Sequence, residues 1–597
     1  MDIFRKIFCL LDQSGRKKIF FLLIITLLTG ILDVIGASSI MPFMAVLVNP
    51  SVIQTNAILT RLSFYLGYPS QQEFLWILGA TTFIFLILSL SFRAFLSYLQ
   101  IQFVLSCECS ISQKLINLYL KQPYTWFLGR HSGELAKSVL SEVNSVVNGL
   151  MMPIVVIVAQ SFSIAAILLM LLLVNVKLTI LMGLIALAIS ILLYKCTKNY
   201  LSKIGVAHSE ANEQRFIIIN EVFGAAKEVK FGGHESSYAK NFSDPAQAYA
   251  RHQASSQLTS QLPRYVLEGI AFGGMLLVLL ALMQKDGIST ALPTFSLYVF
   301  AGYRIMPGVQ QIYGCLSQIH FHMPKLDSLL QEMRDLDIGS QSKIDSRKIE
   351  FEKNIQVKNA WFTYPNAPSP TLKGINFTIS AGSSVALVGS TGSGKTTIAD
   401  LILGLIEPSK GSLMVDGQII NAENSQTWRK LIGYVPQQIF ISNQSIASNI
   451  AFGVPSCNID QKKLEWAAKV AHLHDFIVGQ LPNGYLSEIG ERGVRLSGGQ
   501  RQRIGIARAM YKSPRVLVLD EATSALDNIT ESSVLKSINM LGKEKVTTIM
   551  ITHRLSSIHE CDQIYFIENG EIIDVGCYEE LVRKNIKFRV MSNTLKT

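Results

Sequence analysis

The sequence predicts two joined folds: an all-α bundle of six membrane-spanning helices, then a cytoplasmic α/β domain built round a phosphate-binding loop. Three observations carry this. Apolar residues make up 49% of the chain and charged ones only 16%, the balance of a membrane protein. Six apolar runs occupy the first 330 residues. Further on, "GSTGSGKTT" follows a β-like run and opens a helical one. With 597 residues there is room for two or three domains. The divisions read as a membrane domain at 1–330, a linker at 331–350 and the α/β domain at 351–597.

The apolar runs fall at 19–48, 74–104, 143–174, 176–198, 262–284 and 290–318. Each reaches the ~20 residues that a bilayer requires. Several continue into polar but still helical sequence, so helices should extend well into the cytoplasm. The third and fourth are separated only by "NVK", which predicts a tight outside turn. The first run is too long for a signal-peptide core and should stay in the membrane.

A net charge of +11 raises nucleic acid as a partner, but the placement of the charges excludes it. Arg5, Lys6, Arg16, Lys17 and Lys18 precede the first run, and Lys114, Lys121, Arg130 and Lys137 separate the second from the third. Lys195, Lys198, Lys203 and Arg215 follow the fourth, whereas the outside segments hold little beyond Arg61 and Lys285. Basic inside loops place both termini and the α/β domain in the cytoplasm, with a bacterial inner membrane as the expected location. The eight cysteines form no C-x-x-C pair and are expected as reduced thiols. In the outside segment "NAILTRLSFYLGYPS", Ile58, Leu59, Leu62, Tyr65 and Leu66 share a helical face. That short helix either lies on the outer leaflet or packs on the bundle.

After the linker, "SVALVG", "IGYVPQ", "VLVLDE", "TTIMITH" and "DQIYFIENG" read as strands. The phosphate loop runs through Gly389, Ser390, Thr391, Gly392, Ser393 and Gly394 to Lys395, Thr396 and Thr397. Its glycines let backbone N–H groups curl round phosphate oxygens, and the helix N-terminus adds a favourable dipole. Lys395 should reach the β- and γ-phosphates of ATP, and the Thr396 hydroxyl should hold Mg²⁺. In "VLVLDE", Asp520 ends an apolar strand as a Mg²⁺ ligand, and Glu521 follows as general base for the attacking water.

"LSGGQ" at Leu496–Gln500, followed by "RQRIGIARAM", resembles the signature motif of ABC transporter ATPases. The other motifs of that family follow. Tyr364 resembles the adenine-stacking aromatic, and Gln437 in "YVPQQ" matches the glutamine that meets Mg²⁺ and the attacking water. "EIGERG" around Glu491 is similar to a loop of exporters, Asp527 closes "SALD", and His553 in "ITHRLS" matches the switch histidine. Six helices ahead of one such domain resemble a half-transporter. The resemblance implies that Ser497, Gly498, Gly499 and Gln500 meet the γ-phosphate held by a second subunit. Both halves of the site match the consensus, which implies a homodimer with two active sites. Coupling elements are expected near "QPYTWFLGRHSGELAKS" and "SEANEQRFIIINEVFG".

Charges within the apolar runs bear on what is moved. Arg304 lies ~21 Å along the sixth helix at ~1.5 Å per residue, still within hydrocarbon depth. Arg93 lies deep in the second run, Arg264 and Glu268 open the fifth, and Asp33 sits in the first. Mutual neutralisation is one reading: Arg264 with Glu268, and Asp33 with Arg304 or Arg93. Three arginines against two acids still leave positive charge, and intramembrane charge usually faces a cavity or a partner. A cationic path favours an anionic substrate, phosphate above all. "PRYVLEGIAF", "YRIMPG" and "SSIMPF" are similar to the lipid-linked-oligosaccharide flippase branch of ABC half-transporters. That resemblance implies an ATP-driven flippase for a polyprenyl-pyrophosphate glycan, with Arg93, Arg264 and Arg304 attending the pyrophosphate. Export of lipid A, phospholipid, peptide or drug remains an alternative, as does an ATP-gated channel.

Overall fold

A computed structural model describes residues 5–594 apart from 8–9, 11–12, 68, 287, 340–348, 366, 491–492, 523–529, 535, 538–545 and 553–557, and the backbone alone at 14, 55, 182, 186, 270–271, 275, 277–294 and 592–594. The chain divides into two units. One comprises Met1–Gln122 and Arg130–Ser340, the other Pro123–Gly129 and Gln341–Thr597.

The first unit is helical throughout. Its first span is broken at Ser39 into Gln13–Ser38 and Ile40–Val48, where the sequence had suggested one run. The second helix, Gln71–Leu120, starts at a reciprocal cap: Glu73 N–H donates to Ser70 Oγ, and Ser70 N–H to Glu73 Oε2 at 2.8 Å. The fourth, Val176–Gly224, is separated from the third by Asn175 alone, whose side chain accepts from Leu178 N–H. The fifth and sixth predicted spans lie in Glu235–Asp286 and Ile288–Gly339. At ~1.5 Å per residue, helices of about 50 residues are ~75 Å long, far beyond the ~30 Å of a hydrocarbon core. Four helices among the described residues are long and apolar enough to cross a membrane. Their exposed side chains, such as Phe83, Ile84, Leu169, Leu181 and Leu184, are what lipid accepts.

The third span departs from its sequence reading. It starts at Ser132 and contains two π-helical segments, Lys137–Glu142 and Val147–Met151, before Met152–Val174. Pro153 follows the second of these. Proline lacks the N–H that would bond four residues back and its ring crowds that carbonyl, so a widened turn relieves it. In the outside segment, Asn56 caps the helix Ala57–Tyr65. Leu59 packs with Val46, Phe74 and Leu78, while Ile58, Phe64 and Tyr65 stand exposed. This helix is both docked on the bundle and apolar on its outer side.

The second unit holds a six-stranded sheet ordered β10-β9-β3-β8-β7-β6 and a four-stranded antiparallel sheet ordered β2-β1-β4-β5. In chain order the strands are β1 (Asn354–Phe362), β2 (Leu372–Ser380), β3 (Ser384–Gly389), β4 (Lys410–Val415), β5 (Gln418–Ile420), β6 (Ile432–Val435), β7 (Val516–Asp520), β8 (Thr547–Ile551), β9 (Gln563–Glu568) and β10 (Glu571–Gly576). All five predicted strands are present, as β3, β6, β7, β8 and β9. Both faces of the larger sheet are buried, so its strands are continuous apolar runs. Val385, Leu387, Val516, Val518, Ile549 and Ile551 enter one core, and Ala386, Val388, Leu517, Leu519 and Met550 enter the other.

Close helix approach in the membrane unit depends on Gly205. A Cβ there would overlap the carbonyl oxygen of Phe321 on the sixth helix. Gly205→Ala is therefore expected to cost about 1–3 kcal/mol, as overpacking does. Gly183→Ala, with open space at its Cβ, should cost nothing and can gain helix propensity. Thermal unfolding of the two variants in detergent checks the contrast.

Candidate nucleotide site and membrane cavity

The parallel pairing of β3 with β8 and β9, and of β7 with β8, brings the C-terminal ends of β3 and β7 to one edge of the sheet. That edge is where ligands of open α/β sheets bind. The phosphate loop leaves β3 there and turns through Gly392 and Gly394, both with positive φ, into the helix Lys395–Ile402. Lys395 folds back over its own loop, its Nζ donating to the carbonyl oxygens of Gly389 at 3.0 Å and Ser390 at 2.7 Å. Burial lowers the pKa of this ammonium, while Glu521 and Asp520 pull it up. Thr396 is exposed beside it, and the Tyr364 hydroxyl lies 3.1 Å from Thr397 Oγ1.

Asp520 ends β7 and is buried, as predicted for a ligand at a strand tip. Burial and the neighbouring Glu521 push its carboxyl up to about 6, with Lys395 opposing. Glu521 sits in the left-handed region, φ 45°, a conformation that non-glycine residues adopt at a cost and that clusters at functional sites. Its N–H is held by the Ile551 carbonyl at 2.8 Å, and Gln437 Nε2 donates to its Oε2 at 2.7 Å. This leaves the amide oxygen of Gln437 free of that bond. A hydroxyl, an amide oxygen and a buried carboxylate form an all-oxygen donor set, which fits Mg²⁺.

The signature stretch opens the helix Gly498–Tyr511. Ser497 Oγ accepts from Gln500 N–H at 3.2 Å and Gln500 Oε1 from Ser497 N–H at 2.8 Å, a reciprocal cap that fixes the helix mouth. Asp527, His553 and Glu491 lie outside the described residues. One group was missed by sequence reasoning. Asp400, buried in the helix after the phosphate loop, has its carboxyl pushed up to about 6 by burial and by Asp520. An acid inside "TTIADLILGL" was the available signal.

In the membrane unit, Arg93 and Arg304 converge on Asp33, and Arg264 does not join them. Asp33 is fully buried and accepts three hydrogen bonds, from Ser89 Oγ at 2.6 Å, Ser163 Oγ at 2.7 Å and Arg93 Nη2 at 2.6 Å, and forms an ion pair with Arg304 Nη2 at 3.3 Å. Arg304 is itself buried and donates to Ser89 Oγ at 2.7 Å. Arg264 is exposed and pairs with Glu268 at 2.7 Å within its own helix. Asp33 thus serves both arginines, where the sequence left one or the other open.

A cavity of about 340 Å³ adjoins this cluster. Arg93, Asp33, Thr26, Ser97, Gln100, Gln160 and Gln311 are among its lining, and Arg304 is not. Gln160 Nε2 donates to Gln311 Oε1 at 2.6 Å, whereas Gln100 Nε2 is buried without a hydrogen-bond partner among the described residues. Sequence reasoning found the arginines and missed these amides and serines. Their signal was polar residues within apolar runs.

Comparison with known proteins agrees with both halves. Residues 19–302 match the ABC transporter transmembrane region and residues 372–524 the ABC transporter family. The chain is 32% identical over 478 residues, 80% of either chain, to an ATP-dependent lipid A-core flippase of Saccharophagus degradans. It is 31% identical over 485 residues, 79% of this chain and 80% of the other, to one of Photobacterium profundum. A bacterial Atm1-family ABC exporter solved with ATP bound shares the fold, with TM-score 0.76 at 24% identity over 98% of this chain and 99% of that one. The chain belongs to the ABC transporter family, as a membrane region fused to its own ATPase domain in the half-transporter form of an ATP-driven exporter.

Proposed function

We propose that this exporter flips a phosphorylated glycolipid from the cytoplasmic to the outer leaflet, with a polyprenyl-pyrophosphate oligosaccharide as the first candidate. The observation that carries this is the Asp33 cluster beside the cavity. Two guanidiniums face one carboxylate, which leaves one positive charge within an apolar helix bundle. Such a charge favours an anion, and guanidinium suits phosphate. The amides of Gln100, Gln160 and Gln311 with the hydroxyls of Thr26 and Ser97 are partners for sugar hydroxyls. Lipid A-core is the second candidate, favoured by the names of the curated relatives; it too joins phosphate to sugar.

The ATPase half supplies the drive. In this reading Lys395 and the loop from Gly389 to Thr397 bind the ATP phosphates, with Tyr364 against the adenine. Thr396, Gln437 and Asp520 hold Mg²⁺, which neutralises phosphate charge, and Glu521 takes the proton of the attacking water. The geometry of Gln437 on Glu521 supports that pairing of roles. His553 joins Glu521 and Gln437 as a catalytic residue, Asp527 joins the nucleotide site, and Ser497 to Gln500 complete the site on a second copy of the chain. The single phosphate loop and single signature stretch of each chain support the homodimer. The inner membrane with cytoplasmic ATPase domains follows from the basic inside loops.

Proteoliposome flipping of the two candidate lipids, each in its own assay, tests the proposal. Glu521→Gln should lower ATP hydrolysis and flipping together by about 100-fold or more, the scale of a lost general base. Arg93→Ala should lower flipping about tenfold or more while hydrolysis stays measurable. Hydrolysis by the wild type without movement of either lipid would refute the substrate assignment and leave the exporter intact.

The raised carboxyl of Asp520 gives a pH dependence. Its folded value of about 6 lies above the ordinary 3.8, so its ionised form is disfavoured until a cation binds. In metal-free protein its stability contribution is full below the ordinary value and is lost as pH rises through about 6. Mg²⁺-dependent ATP affinity runs the other way and should weaken as pH falls through about 6. Titrating Mg·ATP affinity and metal-free thermal stability over this window, against Asp520→Asn, checks both slopes.

A further inference from the structure

We infer that Asp33 is an internal stand-in for the anion: its carboxylate holds the Arg93 guanidinium until a phosphate group entering the cavity takes that place. The inference rests on the phosphate-bearing substrate proposed above, and adds how the site is kept before the substrate arrives.

Three observations carry it. First, Asp33 and Arg93 both line the cavity, whereas Arg304, the second arginine on the same carboxylate, does not. Arg93 is therefore the guanidinium of the pair that a ligand in the cavity meets. Second, the two arginines differ in access. The Arg93 side chain is 31% exposed and that of Arg304 only 6%. Third, Asp33 can release Arg93 without being stranded. Losing that contact leaves it the Ser89 and Ser163 hydroxyls and the Arg304 guanidinium. A buried carboxylate left with two hydrogen bonds and an ion pair avoids the cost of an orphaned charge.

The charge balance points the same way. With one carboxylate between two guanidiniums, the cluster is short of one negative charge, and the lining residues named in the cavity bring no second acid. A phosphate on Arg93 replaces the Asp33 oxygen as acceptor and supplies the missing charge. No bond is made or broken beyond this exchange of hydrogen-bond acceptors. A neutral or cationic head group cannot make it, so the device selects for anions as well as holding the arginine in place.

The test reads Arg93 directly. The full chain in nanodiscs is treated with phenylglyoxal, which reacts with accessible guanidinium, and labelling of Arg93 is followed by mass spectrometry. Mg·ADP is present throughout to fill the phosphate loop, and inorganic pyrophosphate is the protecting anion. In Asp33→Asn, Arg93 should label faster, and half-protection should need about tenfold less pyrophosphate than in the wild type. Ser163→Ala keeps both charges but removes one of the donors that remain on Asp33 when Arg93 leaves, so it should shift protection the opposite way, to a higher pyrophosphate concentration. It also covers the case in which Asp33→Asn fails to fold. Unchanged protection in both variants, or easier protection in Ser163→Ala, would overturn the inference and make Asp33 a fixed structural partner. A parallel arm uses a polyprenyl-pyrophosphate lipid as protector. Protection by the inorganic anion with the expected shifts, but none by the lipid, upholds the stand-in and removes the substrate proposal.

Discussion

A buried carboxylate in an apolar bundle, held by groups of its own chain, is the constraint on which the membrane half is organised. Asp33 has zero exposure, so every lone pair it exposes must meet a donor from protein. Its partners come from three further spans: the donors Ser89 and Arg93 on the second and Ser163 on the third, and the ion-paired Arg304 on the sixth. One side chain of the first helix therefore fixes the rotation of three neighbours at a common depth. The apolar contacts elsewhere in this unit, such as Ile167 and Leu171 against Leu297 and Ala301, are non-directional by comparison. They hold the helices together without specifying which face of each turns inward.

The ATPase half is organised by a different constraint. The parallel strands β3, β6, β7, β8 and β9 place their C-terminal tips on one edge, and the side chains that follow those tips have no choice of neighbour. Gly389 and Asp520 end adjacent-but-one strands, so the phosphate loop and the Asp520–Glu521 pair are brought together by topology alone. The left-handed backbone at Glu521 is the local cost of turning the chain so soon after β7.

How far the sequence could be read follows from these two constraints. The parallel strands were legible because burial on both faces makes them unbroken apolar runs, and the phosphate loop was legible because its glycines serve the backbone. The antiparallel sheet of β1, β2, β4 and β5 was not, since half-buried strands such as Asn354–Phe362 carry a weaker pattern. In the membrane half, hydropathy located the spans but not their internal irregularity. The break at Ser39 and the π-helical segments before Pro153 depend on how turns pack, and Gly205 against Phe321 shows how closely. Charges in the apolar runs marked the Asp33 cluster. The choice of Asp33 for both Arg93 and Arg304 needed the relative rotation of three helices, whereas Glu268 with Arg264, one turn apart on one helix, was legible.

The two halves meet the same physical problem in the same way. A cation poised for a phosphate is costly to leave bare in a buried site, so each is held on an acceptor from its own chain. Lys395 is held on the carbonyl oxygens of Gly389 and Ser390, and Arg93 on the carboxylate of Asp33. Binding a phosphate is then an exchange of acceptors, and its net free energy is the difference between two strong interactions. The acceptors differ in kind. Neutral carbonyls release Lys395 easily, which suits a site that must take nucleotide in every cycle. A carboxylate holds Arg93 more firmly, so only an anion of comparable strength can replace it, and the membrane site is the more selective of the two.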